Sequence, residues 1–266
     1  MPLIQLILLS LVQGLTEFLP VSSSAHLILA PIAAGLEDQS PLIDVMAHVG
    51  SLVAVLVYFH RDIRDITLGK LAWFSGRMTP GGRLALLIGA ATPPVILAAG
   101  YLYLSGNADL FRSPLVIGIA TLVFAIPLWA ADKFCPSGES TDTLTYRSAF
   151  LIGAAQVFAL IPGASRSGVT MTAGRALGLG RSEAARFSML MAIPVIAAFG
   201  LVAGWDLATS DAAGASLTDG LIVAILSFFA AWASIAVMMR FVERVGFLPF
   251  VIYRLALAAL IFWLLV

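Results

Sequence analysis

The sequence predicts an all-α polytopic membrane protein in which six transmembrane helices and two re-entrant helix–loop–helix segments form an inverted repeat. Of its 266 residues, 60% are apolar and only 11% are charged, and the mean hydropathy is +1.00. A soluble domain carries about 25% charged residues. Apolar stretches separated by short polar loops recur along the whole chain. We therefore expect a single integral membrane domain over residues 1–266, with repeat halves of approximately 1–132 and 147–266.

Several functional classes find no support in the sequence. The net charge is zero, which gives no indication of nucleic acid as a partner. A single cysteine, Cys135, excludes an internal disulfide framework. The N-terminus has no basic region and no small-residue cleavage site, so we expect it to be retained. Because the sequence contains no P-loop, HExxH or GxSxG motif, it does not support nucleotide or protease chemistry.

Six segments are long and apolar enough to cross a bilayer, which takes about 20 residues. Each contains at most one charged residue (Asp44, Arg186 or Arg254), and they cover residues 42–59, 84–104, 115–131, 184–205, 221–239 and 247–266.

Two further apolar regions are broken near their middle. Residues 3–34 are interrupted by Glu17 and by the run 20–24, and residues 149–179 are interrupted by the run 162–167. Neither arm of either region is long enough to span. Non-helical backbone at membrane depth survives only when it is buried in protein or lines a wet cavity. We therefore interpret both regions as re-entrant, and two kinked full spans are the alternative for each.

Loop charges predict the orientation of the chain in the membrane. The loop 61–83 carries five basic residues and is expected in the cytoplasm, whereas the loop 206–219 carries three aspartates and no basic residue and is expected outside. Loops 132–147 and 240–246 then lie inside, and both termini lie outside.

The order of segments predicts the inverted repeat. Each half has one broken region followed by three spans, and an odd number of spans turns the second half upside down. The two broken regions then enter from opposite faces and meet. A shift of 142 residues superposes Pro20 on Pro162 and Ser23 on Ser165. Interrupted helices at corresponding places point to a binding site in transporters, so transport remains an alternative function.

The first polar cluster, residues 13–26, includes Gln13, Glu17 and His26. Gln13 and Glu17 are four residues apart and share a helix face. An ionisable group inside a membrane is a functional hypothesis by default. The alternative is that Glu17 lies near an interface and that Ser22 and Ser24 only cap the next helix.

The second polar cluster, residues 162–172, has the composition of an anion site. Small residues let backbone amides approach a ligand, and the helix expected to begin near Ser167 directs its positive end there. Arg166 adds a planar fork that matches phosphate oxygens. The alternative is a purely structural ion pair with Glu17. The predicted phosphate-binding residues are Ser165, Arg166, Ser167, Gly168 and Thr170.

Together the clusters predict phosphoryl chemistry in or beside a membrane. Glu17, helped by Gln13, is the expected ligand of a divalent cation. With so few protein ligands, Mg²⁺ or Ca²⁺ bridged to substrate phosphates is favoured over a protein cage. His26 has the pKa range that suits proton transfer near neutrality. A lone histidine on an apolar helix, His48, is expected to be a packed residue.

Residues 13–26 and 162–170 resemble the two signatures of the bacterial undecaprenyl-diphosphate phosphatases, the bacitracin-resistance family. Further similarity lies at residues 46–52, 145–150 and 247–254, so that the resemblance covers essentially the whole chain. It implies hydrolysis of undecaprenyl diphosphate to undecaprenyl phosphate and phosphate, which recycles the lipid carrier of cell-wall synthesis. It also implies Mg²⁺ or Ca²⁺, a bacterial inner-membrane location among membrane lipids and an active site that opens to the periplasm.

The family's functional positions carry over to Gln13, Glu17, Ser23, His26, Ser165, Arg166 and Thr170. The family motif has Glu or Gln at the position of Gln13, and glutamine leaves Glu17 as the main acidic ligand. We expect Ser23 to be the nucleophile, His26 its base or the leaving-group acid, and Arg166 the stabiliser of transition-state charge. The competing assignments make His26 the nucleophile or let Glu17 activate water directly.

A transporter or flippase and a structural scaffold are the alternatives to the phosphatase. A transporter or flippase of a polyprenyl phosphate would use the same inverted-repeat site without chemistry, but a buried carboxylate adds little to anion binding. A structural scaffold would not need an acid, an imidazole and an arginine at broken helices. A homodimer is compatible with each of these functions.

Overall fold

The computed structural model describes residues 2–34, 40–107, 111–135, 138–209 and 216–266. Within these ranges the chain forms α-helices, one 3-10 helix and an isolated β-bridge between Glu139 and Leu179, but no strand. The predicted all-α class is confirmed. The helices are α1 (Leu3–Thr16), α2 (Ser23–Ala34), α3 (Pro41–Tyr58), α4 (His60–Trp73), α5 (Pro80–Ala91), α6 (Pro93–Leu104), α7 (Pro114–Val123), α8 (Ala125–Phe134), α9 (Tyr146–Ala155), the 3-10 helix Gln156–Leu160, α10 (Arg166–Ala176), α11 (Arg181–Thr209), α12 (Leu217–Val245) and α13 (Leu248–Leu265).

The six predicted spans are present as six helical stretches long and apolar enough to cross a membrane. Four are single helices: α3, α11, α12 and α13. The other two are each divided into two consecutive helices, α5 with α6 and α7 with α8. Prolines explain both divisions, because proline has no N–H to donate and its ring clashes with the carbonyl four residues earlier. Pro93 and Pro94 begin α6, and Pro127 follows the break at Phe124.

The basic loop between the first two spans contains a helix that the search for spans does not predict. α4 carries charged residues along its length, so it does not have the continuous apolar sequence from which a span is predicted. Its buried face includes Ile66 and Gly69, and it packs on α5. A side chain at Gly69 would collide with the backbone of Gly81 and Gly82, so the two helices approach closely only because these residues are small.

In each broken region, helices lie on both sides of a non-helical turn. The first turn joins α1 to α2 at residues 17–22, and the second joins the 3-10 helix to α10 at residues 161–165. We call them the first turn and the second turn.

The broken regions pack reciprocally. α1 packs on α12, and α9 packs on α5, so the leading helix of each region contacts the second span of the other half. The largest core cluster includes Phe18 of the first turn, Met171 of α10 and Phe187 of α11. This arrangement holds both turns in the interior of the protein.

Candidate active site

The two turns meet through hydrogen bonds, which confirms that the two polar clusters lie together. Ser22 accepts a hydrogen bond at its Oγ from the backbone N–H of Gly163 at 3.2 Å. Ser167 donates its hydroxyl to the carbonyl of Leu19 at 2.7 Å. Ser22 of the first turn thus binds the backbone of the second turn, and Ser167 at the start of α10 binds the backbone of the first turn.

Two serines in these turns have the same unusual conformation. Ser22 and Ser165 have φ angles of 73° and 70°, a region that residues with a Cβ rarely adopt. Each side chain accepts a hydrogen bond from the backbone N–H three residues on, at Ala25 and Gly168. The equivalent serines stand 143 residues apart, so the superposition of Ser23 on Ser165 is wrong by one residue. Local strain of this kind persists where the surroundings enforce it and is common at functional sites.

Glu17 lies at the centre of the site's hydrogen bonds. Its side chain is buried, and three neighbours bind its carboxylate. Gln13 donates its amide to Oε2 at 3.0 Å, and Ser23 donates its hydroxyl to the same oxygen at 2.8 Å. Arg166 donates from Nη2 to Oε1 at 3.1 Å. Residues of the first cluster therefore bind one oxygen, and the arginine of the second cluster binds the other.

Arg166 is held by several contacts but keeps unused hydrogen-bonding capacity. Its guanidinium also donates to the carbonyls of Glu17 and Ser188 and lies 5.6 Å from the ring centre of Phe18. Its buried Nε finds no hydrogen-bond partner within the described ranges. Arg166 therefore has one hydrogen-bond donor that the described protein does not use.

The hydroxyl of Ser23 is directed at Glu17, whereas the imidazole of His26 is directed elsewhere. A carbonyl only accepts, so Nδ1 of His26 donates to the carbonyl of Ser22 at 2.7 Å. Nε2 of the neutral ring then accepts from the Tyr253 hydroxyl at 2.6 Å, and the two rings stack. His26 does not line the described cavity. The described contacts therefore do not include the expected Ser23–His26 pair, and the Ser23 hydroxyl donates to Glu17 instead.

His48 lies in the site, although a packed role is expected from the sequence alone. Its Nδ1 donates to the carbonyl of Asp44 at 2.8 Å, which leaves Nε2 facing Oε2 of Glu17 at 3.9 Å. The ring also contacts Phe199 with a centroid separation of 5.0 Å. His48 therefore offers an imidazole nitrogen to the same carboxylate oxygen that binds Ser23.

Three of the predicted phosphate-binding residues are occupied by internal hydrogen bonds. Thr170 donates to the carbonyls of Arg166 and Ser167 and shares a hydrogen bond of 2.6 Å with the Ser188 hydroxyl. Ser167 binds the first turn, and the amide of Gly168 binds Ser165. None of the three lines the described cavity, whereas Ser165 and Arg166 do.

A cavity of about 460 Å³ opens from these groups. One end is polar and is lined by Glu17, Ser23, His48, Ser165 and Arg166. The remainder is an apolar arm between α6 and α11, lined by Val95, Ile96, Ala99, Val195, Ile196, Ala198, Phe199 and Val202. A polar end joined to an apolar arm matches an amphipathic ligand with an anionic head.

Arg254 of α13 fixes the shape of both turns. It is completely buried, and its guanidinium donates to the carbonyl of Thr121 from Nε at 3.2 Å and from Nη2 at 3.1 Å. It also donates to Gly163 at 2.9 Å, to Ala164 at 3.0 Å and to Pro20 at 3.4 Å. A single side chain thus binds the first turn, the second turn and α7.

The donor set for a cation is small. Within the described ranges no group of three or more His, Cys, Asp or Glu side chains is placed to hold a metal. Beside Glu17, however, the Oε1 atom of Gln13 is buried, and no residue of the described chain donates to it. One carboxylate and one amide oxygen fit a cation whose other ligands come from phosphate and water.

The sequence alone predicts neither His48 nor Gln156 as a site residue, although both line the cavity. No local pattern identifies His48, because its immediate neighbours in the span, Ala47 and Val49, are apolar. A signal for Gln156 does exist. It precedes Ser165 by nine residues, as Gln13 precedes Ser22, and the 143-residue register superposes the two glutamines.

The chain is similar to a known family and to named relatives over nearly its full length. The model of the family described as Bacitracin resistance protein BacA matches residues 6–260. The undecaprenyl-diphosphatase of Maricaulis maris is 64% identical over 267 residues, covering 99% of this chain and 100% of that protein. The undecaprenyl-diphosphatase of Ruegeria pomeroyi is 49% identical, covering 97% and 96%. That of Jannaschia sp. is 48% identical, covering 98% of each.

Proposed function

Because the chain belongs to the Bacitracin resistance protein BacA family, we propose that it hydrolyses undecaprenyl diphosphate to undecaprenyl phosphate and phosphate. This reaction recycles the lipid carrier used in cell-wall synthesis, and the same activity would contribute to bacitracin resistance. The observation that carries the proposal is the hydrogen bond between Ser23 and Glu17 beside Arg166, at the polar end of a cavity with an apolar arm.

The substrate has a charged diphosphate and an apolar chain, and each part matches one part of the cavity. The diphosphate would lie at the polar end, where Arg166 supplies positive charge. α2 and α10 also begin there, and the positive ends of their helix dipoles favour an anion. The first isoprene units would occupy the apolar arm between α6 and α11. The cavity is too small for a full undecaprenyl chain, so the rest of the lipid would extend into the bilayer.

Ser23 would attack the terminal phosphorus while Glu17 takes the proton of its hydroxyl. The Ser23 Oγ–P bond forms, and the bond from that phosphorus to the bridging oxygen breaks, so that undecaprenyl phosphate leaves. In the second step a water oxygen bonds to the phosphorus and the Ser23 Oγ–P bond breaks. Glu17 then returns its proton to Ser23, and both protons of the water stay on the released phosphate.

Arg166 and Ser165 would bind the phosphate oxygens and stabilise the charge of the transition state. Three other predicted residues would act indirectly, by stabilising the second turn through hydrogen bonds within the protein: Ser167, Gly168 and Thr170. A misplaced arginine would lose most of its effect, since such stabilisation depends on groups placed in advance.

A divalent cation, Mg²⁺ or Ca²⁺, would be held by Glu17 and Gln13 together with substrate phosphates and water. When bound, it would neutralise charge on the diphosphate and polarise the phosphoryl oxygens. Gln13 contributes no charge, so affinity would depend on the substrate being present.

We also propose the bacterial inner membrane as the location and a site that opens to the periplasm, as membership of this family implies. The two broken regions would be re-entrant, within an inverted repeat of halves approximately 1–132 and 147–266. Reciprocal packing of α1 on α12 and of α9 on α5 supports this. A homodimer would use the exposed apolar faces of the spans.

The test is phosphate release by the purified full-length protein in detergent, with undecaprenyl or farnesyl diphosphate and Mg²⁺ or Ca²⁺. We expect turnover that is abolished by a chelator and restored by added cation. The reciprocal packing also favours a transporter or flippase of a polyprenyl phosphate as a second candidate. Lipid transfer between the leaflets of vesicles without any phosphate release would overturn the phosphatase and support that alternative.

The two histidines of the region are expected to differ in their effect on turnover. His48→Gln removes an imidazole facing Glu17, and we expect kcat to fall by about 10–100-fold, toward the lower end of general acid–base effects. His26→Gln is expected to cost less than about tenfold, because His26 bonds Tyr253 outside the cavity. The measurement is kcat for each variant at saturating farnesyl diphosphate. The opposite ranking would return the acid–base role to His26.

A further inference from the structure

Gln156 is a buried polar side chain without a partner, and it lines the cavity of the proposed reaction. It is 0% exposed, and neither its Nε2 nor its Oε1 has a hydrogen-bond partner among the residues that the structure describes. Buried amides are normally paired because an unpaired one is destabilising. An unpaired amide that lines a cavity is therefore better explained by a ligand than by folding.

The comparison with Gln13 explains why Gln156 is unpaired. Each glutamine stands nine residues before a strained serine, Ser22 or Ser165, that caps the next helix. Gln13 donates to Glu17 four residues on, whereas the residue four places after Gln156 is Leu160. The second region thus has the glutamine but no carboxylate for it to bind.

The surroundings of Gln156 indicate what its ligand is. It begins the 3-10 helix that leads into the second turn, and it lines the cavity together with Ser165 and Arg166. Arg166 also has a buried donor, Nε, with no partner in the described chain. Unpaired donors on two residues that line one cavity, beside the turn predicted to bind an anion, fit phosphate oxygens. An apolar chain would leave all of them unpaired.

We propose that Gln156 is a further substrate-contacting residue, whose Nε2 donates to a phosphate oxygen of the diphosphate while its Oε1 accepts from the water that releases the phosphoryl group. An amide can perform both tasks because it has a donor and an acceptor on one carbon. Neither Arg166, which only donates, nor ionised Glu17, which only accepts, can do the same. The assignment rests on the proposed phosphatase activity and adds a residue to it.

The test uses Gln156→Met, which keeps the length and volume of the side chain but has no amide. In purified full-length protein with farnesyl diphosphate, we expect kcat/KM to fall by about 10–100-fold, as for the loss of a hydrogen bond to a charged group. The Ki of inorganic pyrophosphate as a competitor is expected to rise by a similar factor. The melting temperature of the ligand-free protein is expected to rise by about 2–4 °C, because an unpaired buried amide is removed.

Two further variants complete the test. Gln156→Glu places a negative charge against the diphosphate and is expected to lower kcat/KM more than Gln156→Met does. Gln5→Met, a glutamine of α1 that does not line the cavity, is the matched control and is expected to leave kcat/KM within twofold.

Each result decides a different question. Absence of phosphate release from the wild-type protein would contradict the proposed function itself. An active wild type with kcat/KM of Gln156→Met within twofold would overturn the assignment of Gln156 alone. A fall in both activity and melting temperature in Gln156→Met, with an unchanged Ki for pyrophosphate, would make Gln156 a structural residue and would also overturn the assignment.

Discussion

Ser23→Ala is expected to lower phosphate release by at least about a thousandfold, while the Ki of inorganic pyrophosphate stays within a few-fold of the wild-type value. Removing the nucleophile of a hydrolase abolishes nearly all turnover, because the residual rate comes only from binding and electrostatics. Arg166 and the helix N-termini are unchanged in this variant, so binding should persist. The measurement is kcat with farnesyl diphosphate together with competition by pyrophosphate.

Ser165→Ala is the matched comparison for Ser23→Ala. Ser165 also lines the cavity, but its hydroxyl accepts from Gly168 and caps α10. We expect a loss of turnover of at most about tenfold and a loss of roughly 1 kcal/mol in stability, as for other N-cap serines. A larger kinetic loss in Ser165→Ala than in Ser23→Ala would transfer the role of nucleophile to the second turn.

A covalent intermediate separates attack by Ser23 from direct attack by water. Substrate labelled in its terminal phosphate and quenched in acid during turnover should leave label on the peptide that contains Ser23. A burst of product equal to the enzyme concentration would accompany it. Near-normal turnover in Ser23→Ala, without a labelled peptide, would instead make Glu17 the base that activates water.

The sequence predicts the fold well because crossing a membrane is a property of length and composition. Six stretches of about 20 apolar residues lead to six spans whatever their partners are. The broken regions are also visible, since proline, glycine and serine runs interrupt them. α4 is not predicted because a charged helix has no such signature, and the divisions of two spans near Pro93, Pro94 and Pro127 do not follow from length and apolarity alone.

Some members of the site are predicted from the sequence, but their pairings are not. Glu17, Ser23 and Arg166 are all recognisable as unusual residues for their surroundings, and the structure joins them. On a helix, Ser23 and His26 lie three residues apart and share a face. That spacing favours a Ser–His pair, but the side chain of His26 reaches Tyr253, 227 residues away in sequence. His48 reaches the site only because of how α3 packs, and the sequence around His48 does not predict that packing.

Arg254→Met is expected to lower the free energy of unfolding by roughly 2–4 kcal/mol and kcat by about a hundredfold. The buried guanidinium binds the carbonyls of Pro20, Gly163 and Ala164, so one side chain sets the distance between the two turns. Without it, those carbonyls lose their donors and the turns can separate. The pair of Glu17 with Arg166 depends on that distance.

Arg254 is inferred to be a positioning residue, and the variants are chosen to separate positioning from charge. Arg254→Lys keeps the charge but has three donors on one nitrogen, which cannot reach carbonyls spread around a planar fork. We therefore expect it to recover less than half of the lost stability and to remain well below the wild type in kcat. Arg244→Met, at an exposed arginine of α12, is the control and is expected to change neither quantity.

Melting temperature in detergent, kcat and KM measured together decide the role of Arg254. A positioning role predicts a lower melting temperature and a lower kcat, with KM changed less than kcat, because the misplaced groups act mainly in the transition state. An unchanged melting temperature with a large rise in KM would instead make Arg254 a direct ligand of the diphosphate. Full recovery of stability and kcat in Arg254→Lys would show that only the charge matters, since a lysine cannot reproduce the hydrogen bonds that join Pro20 to Gly163 and Ala164.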